Sequence, residues 1–425
     1  MKLWSKGLPT DQKIDTFTVG NDRILDLVIA KYDVQGTLAH AKMLCKIGIL
    51  SDKDLADIEA ALQELNQEIE AGTFEISEEF EDVHSKIEFE LTTRIGDAGK
   101  RIHTARSRND QVLTAMHLYL KDEIQEIKNL TKQLSKVLLD AAEKYKEVLL
   151  PGYTHLQIAM PSSFGLWFSA YAESLVDDIY FLNAAYKVVD QNPLGSAAGY
   201  GSSFPIDREH TTKNLDFATL KYNVVAAQMS RGKAEKSTAF ALSSVSGTLS
   251  KMAMDVCLYM SQNFGFMSIP SEFTTGSSIM PHKKNPDVFE LIRGKCNRIQ
   301  ALPYEITLLT NNLPSGYHRD YQLLKEGLVP ALQDIKACLE LAIYALKNVE
   351  VNANILDDDK YDYLFSVDTL NTLVQEGMTF RDAYVKIGLD IENGNYEPTK
   401  NTKHTHIGSI NNLGLEQIAK KLEKA

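Results

Sequence analysis

The distribution of proline most strongly limits what this chain of 425 residues can fold into. Its 12 prolines leave three long windows empty, at residues 10–150, 206–269 and 331–397. A proline inside a helix costs about 3 kcal/mol or more, because it removes a backbone hydrogen bond and clashes with the preceding turn. All three windows are therefore free to form long helices.

The segment that follows Gln111 has the periodicity of one long helix. Its apolar residues recur at intervals of three, four or eight, which places them on a single helical face. The residues of this face are Met116, Ile124, Ile127, Leu130, Leu134, Leu138, Ala141 and Tyr145. A helix of nearly forty residues is roughly 57 Å long, and helices of that length usually belong to long bundles or coiled coils.

Four more helices are predicted from proline positions and capping residues. One starts at Pro161, and another covers much of 230–262, where small and apolar residues dominate. A third begins at residues 285–287, an asparagine cap followed by proline and an acid that suits the helix dipole. The last follows Pro330. Because alternating strand patterns are missing, the sequence predicts an all-α fold with a central bundle of about five long helices.

Composition divides the chain into three predicted domains. Residues 1–106 contain shorter helices and acidic stretches, which predicts a smaller N-terminal helical domain. Residues 107–355 hold the long helical patterns and form the predicted central bundle domain. Residues 356–425 are polar and mixed in character, which predicts a separate C-terminal domain.

Charge and cysteine usage exclude several classes of protein. The net charge of −12 argues against nucleic acid or an anionic membrane as a general partner. The four cysteines are far apart and form no C-x-x-C pair, which is typical of reduced thiols in a cytoplasmic protein. Residues 1–17 contain no apolar segment, so we expect no signal peptide. No run approaches 18 apolar residues, so we expect no membrane span.

Two polar segments precede predicted helices and contain candidate functional groups. Residues 103–111, HTARSRNDQ, offer Arg106 and Arg108 beside a helix start, which can bind a carboxylate or phosphate. The alternative is a well-capped helix start in solvent. Residues 151–157, PGYTHLQ, place His155 between a turn and a helix, where a partly buried imidazole could act as general acid or base. Its alternative is a structural histidine.

The loop GSSIMPHKKNPD, residues 276–287, combines stiffness with positive charge. Its glycine permits unusual backbone angles, and its two prolines limit its freedom. A hydroxyl such as that of Ser277, near cations and helix N–H groups, can have its alkoxide stabilised. Lys283 and Asn285 could stabilise negative charge that develops on a substrate carboxylate, and Glu290 could orient a histidine. The alternative is a rigid surface turn with solvated lysines.

Residues 313–325, LPSGYHRDYQLLK, form the fourth polar segment. Tyr317, Gln322 and Lys325 supply a hydroxyl, an amide and an ammonium, which suit a polar substrate that bears a carboxylate. Taken alone, the segment could equally be a corner between two helices. The sequence contains no HExxH, no G-x-S-x-G, no metal-spaced Cys/His cluster and no complete dinucleotide fingerprint.

Together these segments resemble a known enzyme family. GSSIMPHKKNPD is similar to the signature G-S-S-x-M-P-x-K-x-N-P of the fumarase/aspartase superfamily. HTARSRNDQ, LLPGYTHLQ, NPLGSAAGYGSSFPIDR and LPSGYHRDYQ, in that order, resemble the argininosuccinate lyase family, and the resemblance extends from about residue 33 to beyond 340. It implies three helical domains and a homotetramer whose active sites combine segments from three subunits. It also implies cleavage of argininosuccinate to arginine and fumarate in arginine biosynthesis, without a metal or organic cofactor.

The resemblance also implies roles for individual residues. Ser277 would be the base, in a mobile loop that closes over the substrate, and His155 would be the partner acid, oriented by Glu290. Which proton each of the two transfers stays open. The aci-carboxylate intermediate would be stabilised by Lys283 and Asn285. The residues that would hold the fumarate-side carboxylates are Thr154, Ser107, Arg108 and Asn109. Those that would hold the arginine portion are Tyr317, Gln322 and Lys325.

The chain departs from the family pattern at a few positions. Residue 282 is histidine where most relatives have glutamine, and the segment VGNDRILD lacks the substrate-contacting serine that relatives place near Asp22. Arg231 is followed by Gly-Lys in place of Asp, and the C-terminal domain is shorter. Two alternatives remain: another fumarate-releasing lyase of the superfamily, or a non-catalytic structural protein of the crystallin kind.

Overall fold

A computed structural model describes residues 11–400 and 402–425 of the chain. It is mainly helical, which confirms the predicted all-α class. The expectation of no signal peptide rests on residues 1–17, and positions 1–10 of that segment lie outside the described residues. Within the described part, no helix combines the length and the apolar content needed to cross a membrane.

Helices follow one another along most of the described chain. In chain order they are α1 (Gln12–Val19), α2 (Asp22–Leu25), α3 (Ala30–Lys46), α4 (Asp52–Glu70), α5 (Val83–Ile95), α6 (Asp97–Arg101), α7 (Arg108–Lys144), α8 (Phe164–Val189), α9 (Arg208–Asn214), α10 (Val224–Gln228), α11 (Lys233–Tyr259), α12 (Asp287–Ile299), α13 (Leu302–Thr310), α14 (Leu324–Leu346), α15 (Ser366–Gln375), α16 (Phe380–Glu392) and α17 (Leu415–Lys424). Short 3-10 helices occupy Asp26–Ile29, Ser271–Phe273, Arg319–Leu323, Ile355–Asp357 and Asp359–Phe365.

Strands are few and form three two-stranded sheets in the described residues. They are β1 (Leu149–Thr154), β2 (Gln157–Ser163), β3 (Gln191–Asn192), β4 (Thr219–Leu220), β5 (Met267–Ser268) and β6 (Glu350–Val351). β1 and β2 form an antiparallel hairpin, β3 and β4 pair in parallel, and β5 and β6 pair antiparallel. The hairpin was not predicted from the sequence.

The longest helix matches the predicted one closely. α7 has 37 residues, and it begins three residues before Gln111. On its predicted apolar face, Ile124, Ile127, Leu134 and Leu138 are fully buried. Burial of each such side chain contributes about 1.5–3 kcal/mol, so this face holds the helix in place.

Two helix starts differ from the prediction. α8 begins at Phe164 rather than at Pro161, because residues 157–163 pair with β1 and Ser163 Oγ accepts a hydrogen bond from Leu166 N at 3.0 Å as the cap. α14 begins at Leu324, so Pro330 lies inside the helix. Proline has no N–H, so the carbonyl of Glu326, four residues earlier, lacks its usual helical hydrogen bond. The helix tolerates this because Glu326 is exposed and water can reach its carbonyl.

The chain groups into two compact units. The first consists of residues 11–127, Phe181–Ser243 and Ile299–Asp334, and the second of Lys128–Tyr180, Ser244–Arg298 and Ile335–Ala425. These units join segments that are distant in sequence, so they do not test the domain boundaries expected near residues 106 and 355. The three-domain division stays a prediction.

Polar contacts between helices organise the second unit. Asp255 of α11 accepts hydrogen bonds from two residues of α8, Trp167 Nε1 at 3.0 Å and Tyr171 Oη at 2.6 Å. Ser135 of α7 donates to the carbonyl of Ala172 in α8 at 3.0 Å. The three long helices are therefore linked by specific hydrogen bonds as well as by apolar packing, which favours one arrangement of the helices.

Candidate active site

The loop before α12 is closed at its base by a short backbone pairing. Asn285 N donates to Thr275 O at 2.8 Å, and Thr275 N donates to Asn285 O at 3.4 Å. Lys284 Nζ also donates to Ser271 Oγ at 2.7 Å. Residues 276–284 therefore extend from a fixed base at the start of α12, which begins where the sequence predicted.

Within this loop, the hydroxyl of Ser277 accepts two backbone hydrogen bonds. Its Oγ lies 3.1 Å from Met280 N and 3.3 Å from Ile279 N. Both N–H dipoles point at the oxygen and stabilise negative charge on it, as a serine acting as a base requires. Gly276 does not have positive φ, so the unusual backbone angle that its glycine permits is not used here.

His155 occupies the tip of the β1–β2 hairpin. Thr154 pairs with Gln157, so His155 and Leu156 form a two-residue turn, and their φ angles are 53° and 58°. A type I′ turn needs positive φ at both central residues and normally uses Asn or Gly. Non-glycine residues with positive φ are uncommon, and such strain is found preferentially at functional sites.

The surroundings of His155 differ from the prediction. We expected a partly buried imidazole before a helix, but the side chain is exposed and the next element is strand β2. Thr154 is also exposed. The reason is the hairpin, whose tight turn leaves both side chains exposed. Both side chains are therefore presented to solvent within a single chain.

The hairpin has a bulge that requires a glycine. Ala159 and Met160 of β2 lie opposite the single residue Gly152 of β1. A Cβ at Gly152 would lie 2.6 Å from Met160 O, closer than real contacts allow. Tyr153 packs its ring on Phe264 with centroids 5.7 Å apart. The bulge and this aromatic contact set the direction of the tip.

At the start of α7, Arg106 does not take the predicted role in anion binding. It is 7 % exposed, and its Nη1 donates to Thr37 Oγ1 at 2.9 Å. Asp110, which is fully buried, accepts hydrogen bonds from the backbone N–H groups of Ser107, Gly195 and Ala197 at 2.9, 3.0 and 2.9 Å. These two residues anchor the helix start, and their role is structural.

Arg108 is held by acidic residues of the first unit. Its Nη1 lies 2.9 Å from Glu81 and 3.1 Å from Asp82, and its Nη2 donates to Ser85 Oγ at 2.9 Å. The guanidinium is therefore fixed in orientation by three partners. Arg108 and its neighbour Asn109 are both half-buried and line a cavity of this unit that is rich in charged side chains.

The first unit contains a cavity of about 230 Å³. Five of the predicted binding residues line it: Arg108, Asn109, Tyr317, Gln322 and Lys325. Ser107 is not among the lining residues. Charged side chains of both signs surround the space, and they are Asp22, Asp26, Glu81, Asp82, Arg108, Arg231, Arg319 and Lys325. Four carboxylates face four cations, so the cavity suits a ligand that itself carries both charges.

Lys325 forms the centre of an ion cluster on the cavity wall. It is 3 % exposed, and its ammonium contacts Asp22 at 2.7 Å and also Asp26. Burial opposes the charge on Lys325, but the two carboxylates outweigh burial and raise its pKa. Burial also raises the pKa of Asp22 to about 6, although Lys325 opposes this. The lysine is thus a fixed cation.

Gln322 and Arg319 bind the end of α1. Gln322 Nε2 donates to Thr18 O at 3.0 Å and to Val19 O at 2.9 Å, and Arg319 Nη2 donates to Thr18 O at 2.7 Å. The amide nitrogen of Gln322 is therefore engaged within the chain. The nearby Tyr317 is 39 % exposed, so its ring is accessible to a ligand.

Several lining residues were missed by the sequence reasoning. Asp26, Glu81, Asp82 and His84 were not assigned any role, although three of them belong to the acidic segment EEFEDVHSK. His84 is 2 % exposed, and its Nδ1 lies 3.0 Å from Asp33. A signal for these residues was present in the sequence, where acids and a histidine lie together within five residues. An ordinary solvent-exposed helix has no need of that combination.

The predicted catalytic and substrate-binding residues together fall into two sets, and all four catalytic ones lie in the second unit. Ser107, Arg108, Asn109, Tyr317, Gln322 and Lys325 belong to the first unit, and Thr154, His155, Ser277, Lys283, Asn285 and Glu290 belong to the second. Within the second unit, the described residues form no hydrogen bond or ion pair between His155 and Glu290, and both are exposed. Their predicted contact stays a prediction. Among the described residues, no three His, Cys, Asp or Glu side chains are arranged to hold a metal ion.

Comparison with known proteins finds similarity at two levels, that of the fold and that of the sequence. Residues 7–301 match a family model described as Lyase. The structure resembles that of an EDDS lyase in complex with formate, with a TM-score of 0.78 and 19% identity over 98% of this chain and 91% of the other. It also resembles a class II fumarase from Schistosoma mansoni, with a TM-score of 0.76 and 17% identity over 97% and 91%. At these identities the likeness shows the fold.

A much nearer relative shows the family. The chain is 55% identical over 423 residues to an argininosuccinate lyase of Bacteroides fragilis, and the match covers 100% of this chain and 95% of the relative. It includes the loop of Ser277, the hairpin of His155 and the cavity residues. The chain therefore belongs to the argininosuccinate lyase family of the fumarase/aspartase superfamily.

Proposed function

We propose that the protein cleaves argininosuccinate into L-arginine and fumarate by general acid/base β-elimination. A base removes a proton from the carbon next to a succinate carboxylate, which forms a dianionic aci-carboxylate. The electron pair then forms the double bond of fumarate as the carbon–nitrogen bond breaks, and an acid protonates the departing guanidine. The protein would serve arginine biosynthesis.

The observation that carries this proposal is the charge-balanced cavity of the first unit. Argininosuccinate has three carboxylates, an ammonium and a guanidinium, so it needs partners of both signs. In the proposed binding mode, Arg108 and Asn109, with Ser107 and Thr154, hold the fumarate-side carboxylates. Tyr317, Gln322 and Lys325 hold the arginine portion. Carboxylates on the cavity wall supply negative charge for its cationic groups.

Ser277 is the proposed base. The hydrogen bonds from Ile279 N and Met280 N support this role, because they stabilise the alkoxide relative to the hydroxyl. Lys283 and Asn285, on the same loop, would stabilise the aci-carboxylate, whose charge grows as the proton leaves. A loop fixed at its base by Thr275 and Asn285 can close over a substrate as a unit.

His155 is the proposed partner acid, oriented by Glu290. His155 is exposed at a strained hairpin tip, so within one chain its imidazole has no surrounding pocket. A pocket around it would form when the surface of another subunit covers the tip.

We propose that the protein is a homotetramer whose active sites combine segments from different subunits. Exposed apolar side chains on the long helices, such as Phe240 and Met254 on α11, support such an assembly.

We further propose that the enzyme works in the cytoplasm on this small-molecule substrate, and that its partners are other copies of itself. None of its four cysteines, Cys45, Cys257, Cys296 and Cys338, forms a disulfide within the described part of the chain, which agrees with a reducing compartment.

Release of fumarate, followed by its ultraviolet absorbance, tests the reaction. Purified protein should release fumarate from argininosuccinate far faster than from adenylosuccinate, aspartate or malate. Faster turnover of one of the other three compounds would indicate a different lyase of the superfamily. A folded protein inert toward all four would indicate a structural role and would refute the proposed activity.

A further inference from the structure

The ion cluster around Lys325 contains two carboxylates and only one ammonium. Asp26 is 1 % exposed, contacts the ammonium directly and also accepts a hydrogen bond from Val83 N at 3.2 Å. Asp26 is therefore a permanent, buried partner of the lysine. One carboxylate neutralises one ammonium, so the addition of Asp22 at 2.7 Å gives these three groups a net charge of −1. The guanidinium of Arg231 also acts on Asp22, but it is itself paired with Glu235.

The surplus carboxylate is the one that faces the cavity. The side chain of Asp22 retains 13% of its exposure, compared with 1% for Asp26, and both line the same cavity. Burial raises the pKa of Asp22 to about 6, against the effect of Lys325, because the ionised carboxylate has lost much of its hydration. A cationic group of a ligand at this point would stabilise the ionised carboxylate.

A second residue of the cavity wall, Arg231, has a hydrogen-bond donor that lacks an acceptor. Arg231 is 5 % exposed and lines the cavity. Its Nη2 donates to Tyr321 O at 3.0 Å, and its Nε lies 3.0 Å from Glu235. Its Nη1, also buried, has no hydrogen-bond partner among the described residues. A buried guanidinium N–H without an acceptor is costly, and a ligand carboxylate that reached Nη1 would supply the missing acceptor.

We infer that Asp22 determines specificity for an α-amino acid by binding the α-ammonium group of the arginine moiety, while Lys325 and Arg231 bind its α-carboxylate. The two charged groups of an α-amino acid share one carbon, so their partners must be neighbours of opposite charge. Asp22 and Lys325 are such neighbours, and binding exchanges their ion pair for two pairs with the ligand. The inference rests on the proposed function, which it extends to the chemistry of one subsite.

Calorimetric titration with two ligands tests this role in the full-length protein. L-Arginine carries both α groups, whereas 5-guanidinopentanoate has the same chain and carboxylate without the amino group. Asp22→Asn should weaken the binding of L-arginine about 10-fold or more, as expected for a lost charged hydrogen bond, and leave 5-guanidinopentanoate at its original affinity or better. Asp22→Glu, which keeps the charge, should retain a preference for L-arginine.

Glu326→Gln is the matched control. Glu326 is exposed, accepts a hydrogen bond from Asn21 at 3.1 Å and does not line the cavity, so the variant makes the same change in net charge nearby. It should bind both ligands like the unaltered protein.

Two results would overturn the inference. If Asp22→Asn weakened both ligands equally, Asp22 would act only through Lys325. If its affinity for L-arginine were unchanged, Asp22 would not contact the ammonium. Should the Asn variant misfold, Asp22→Glu decides, because loss of the preference for L-arginine in that folded variant counts against direct recognition while retention supports it. Failure of the proposed function is distinct, since the unaltered protein would then release no fumarate from argininosuccinate.

Discussion

Acid should destabilise this protein in part through one buried imidazole, that of His117 on α7. The side chain is 1 % exposed, with Nδ1 2.8 Å from Val189 O and Nε2 3.2 Å from Ser230 Oγ. Burial lowers its pKa from 6.5 to about 4, against the opposing effect of the Val189 carbonyl, and the cations of Lys221 and Arg231 lower it further. The folded protein therefore keeps this histidine neutral.

The sign and the size of the effect follow from the two pKa values. Between pH 6.5 and about 4 the unfolded chain binds a proton at His117 that the folded protein does not bind, so the free energy of unfolding falls as the pH is lowered. The stabilisation is fully present above 6.5 and fully lost below about 4. The whole difference corresponds to about 3 kcal/mol, and roughly 2 kcal/mol of it is lost by about pH 5.

A His117→Gln variant tests this reasoning, because glutamine offers a donor and an acceptor but does not titrate. Unfolding by denaturant should be measured for both proteins at equal concentration, at about pH 7.5 and about pH 5. The stability advantage of the unaltered protein over the variant should shrink by about 2 kcal/mol at the lower pH. Other acid-sensitive groups, such as His40, titrate in both proteins and cancel in the difference. A difference that is independent of pH would refute the argument.

Three further predictions concern the candidate active site. Ser277→Ala should leave the oligomer intact by size-exclusion chromatography and lower kcat by orders of magnitude, and near-normal turnover would remove Ser277 from the mechanism. Mixed oligomers of Ser277→Ala and His155→Ala subunits should recover part of the activity if sites are shared, and verified mixed oligomers that stay inactive would count against shared sites. Gly152→Ala should lower kcat, because its Cβ would lie 2.6 Å from Met160 O and displace the hairpin; unchanged kinetics would show that the bulge does not set the position of His155.

Local patterns predicted the helices well. The face of α7 that runs from Met116 to Ala141 has a period of three to four residues, and such a period depends only on the geometry of one helix. The start of α12 at Asp287 was predicted because its capping residues are adjacent in sequence. The start of α8 was misplaced, since Pro161 suits the first turn of a helix but here belongs to strand β2, whose partner lies across the hairpin.

The site was predicted only as a set of residue types. Ser277 and His155 were identified by motif, but neither the two N–H groups that point at the Ser277 hydroxyl nor the strained turn of His155 could be foreseen. A type I′ turn normally contains Asn-Gly at its two central positions. The dipeptide His-Leu, which occupies them here, does not predict such a turn. Asp26 was overlooked because an aspartate in an N-terminal helix has no distinguishing neighbours in sequence.

The helical class, the long helices and the family of the protein were therefore predictable from the chain of residues, because periodicity, caps and signature motifs are properties of adjacent residues. The charge balance of the cavity became apparent only in the folded protein. Asp26 and Lys325 are 299 positions apart, and their pairing has no local pattern. An ionised side chain acquires its partners from folding, so its electrostatic role becomes visible only when distant segments are brought together.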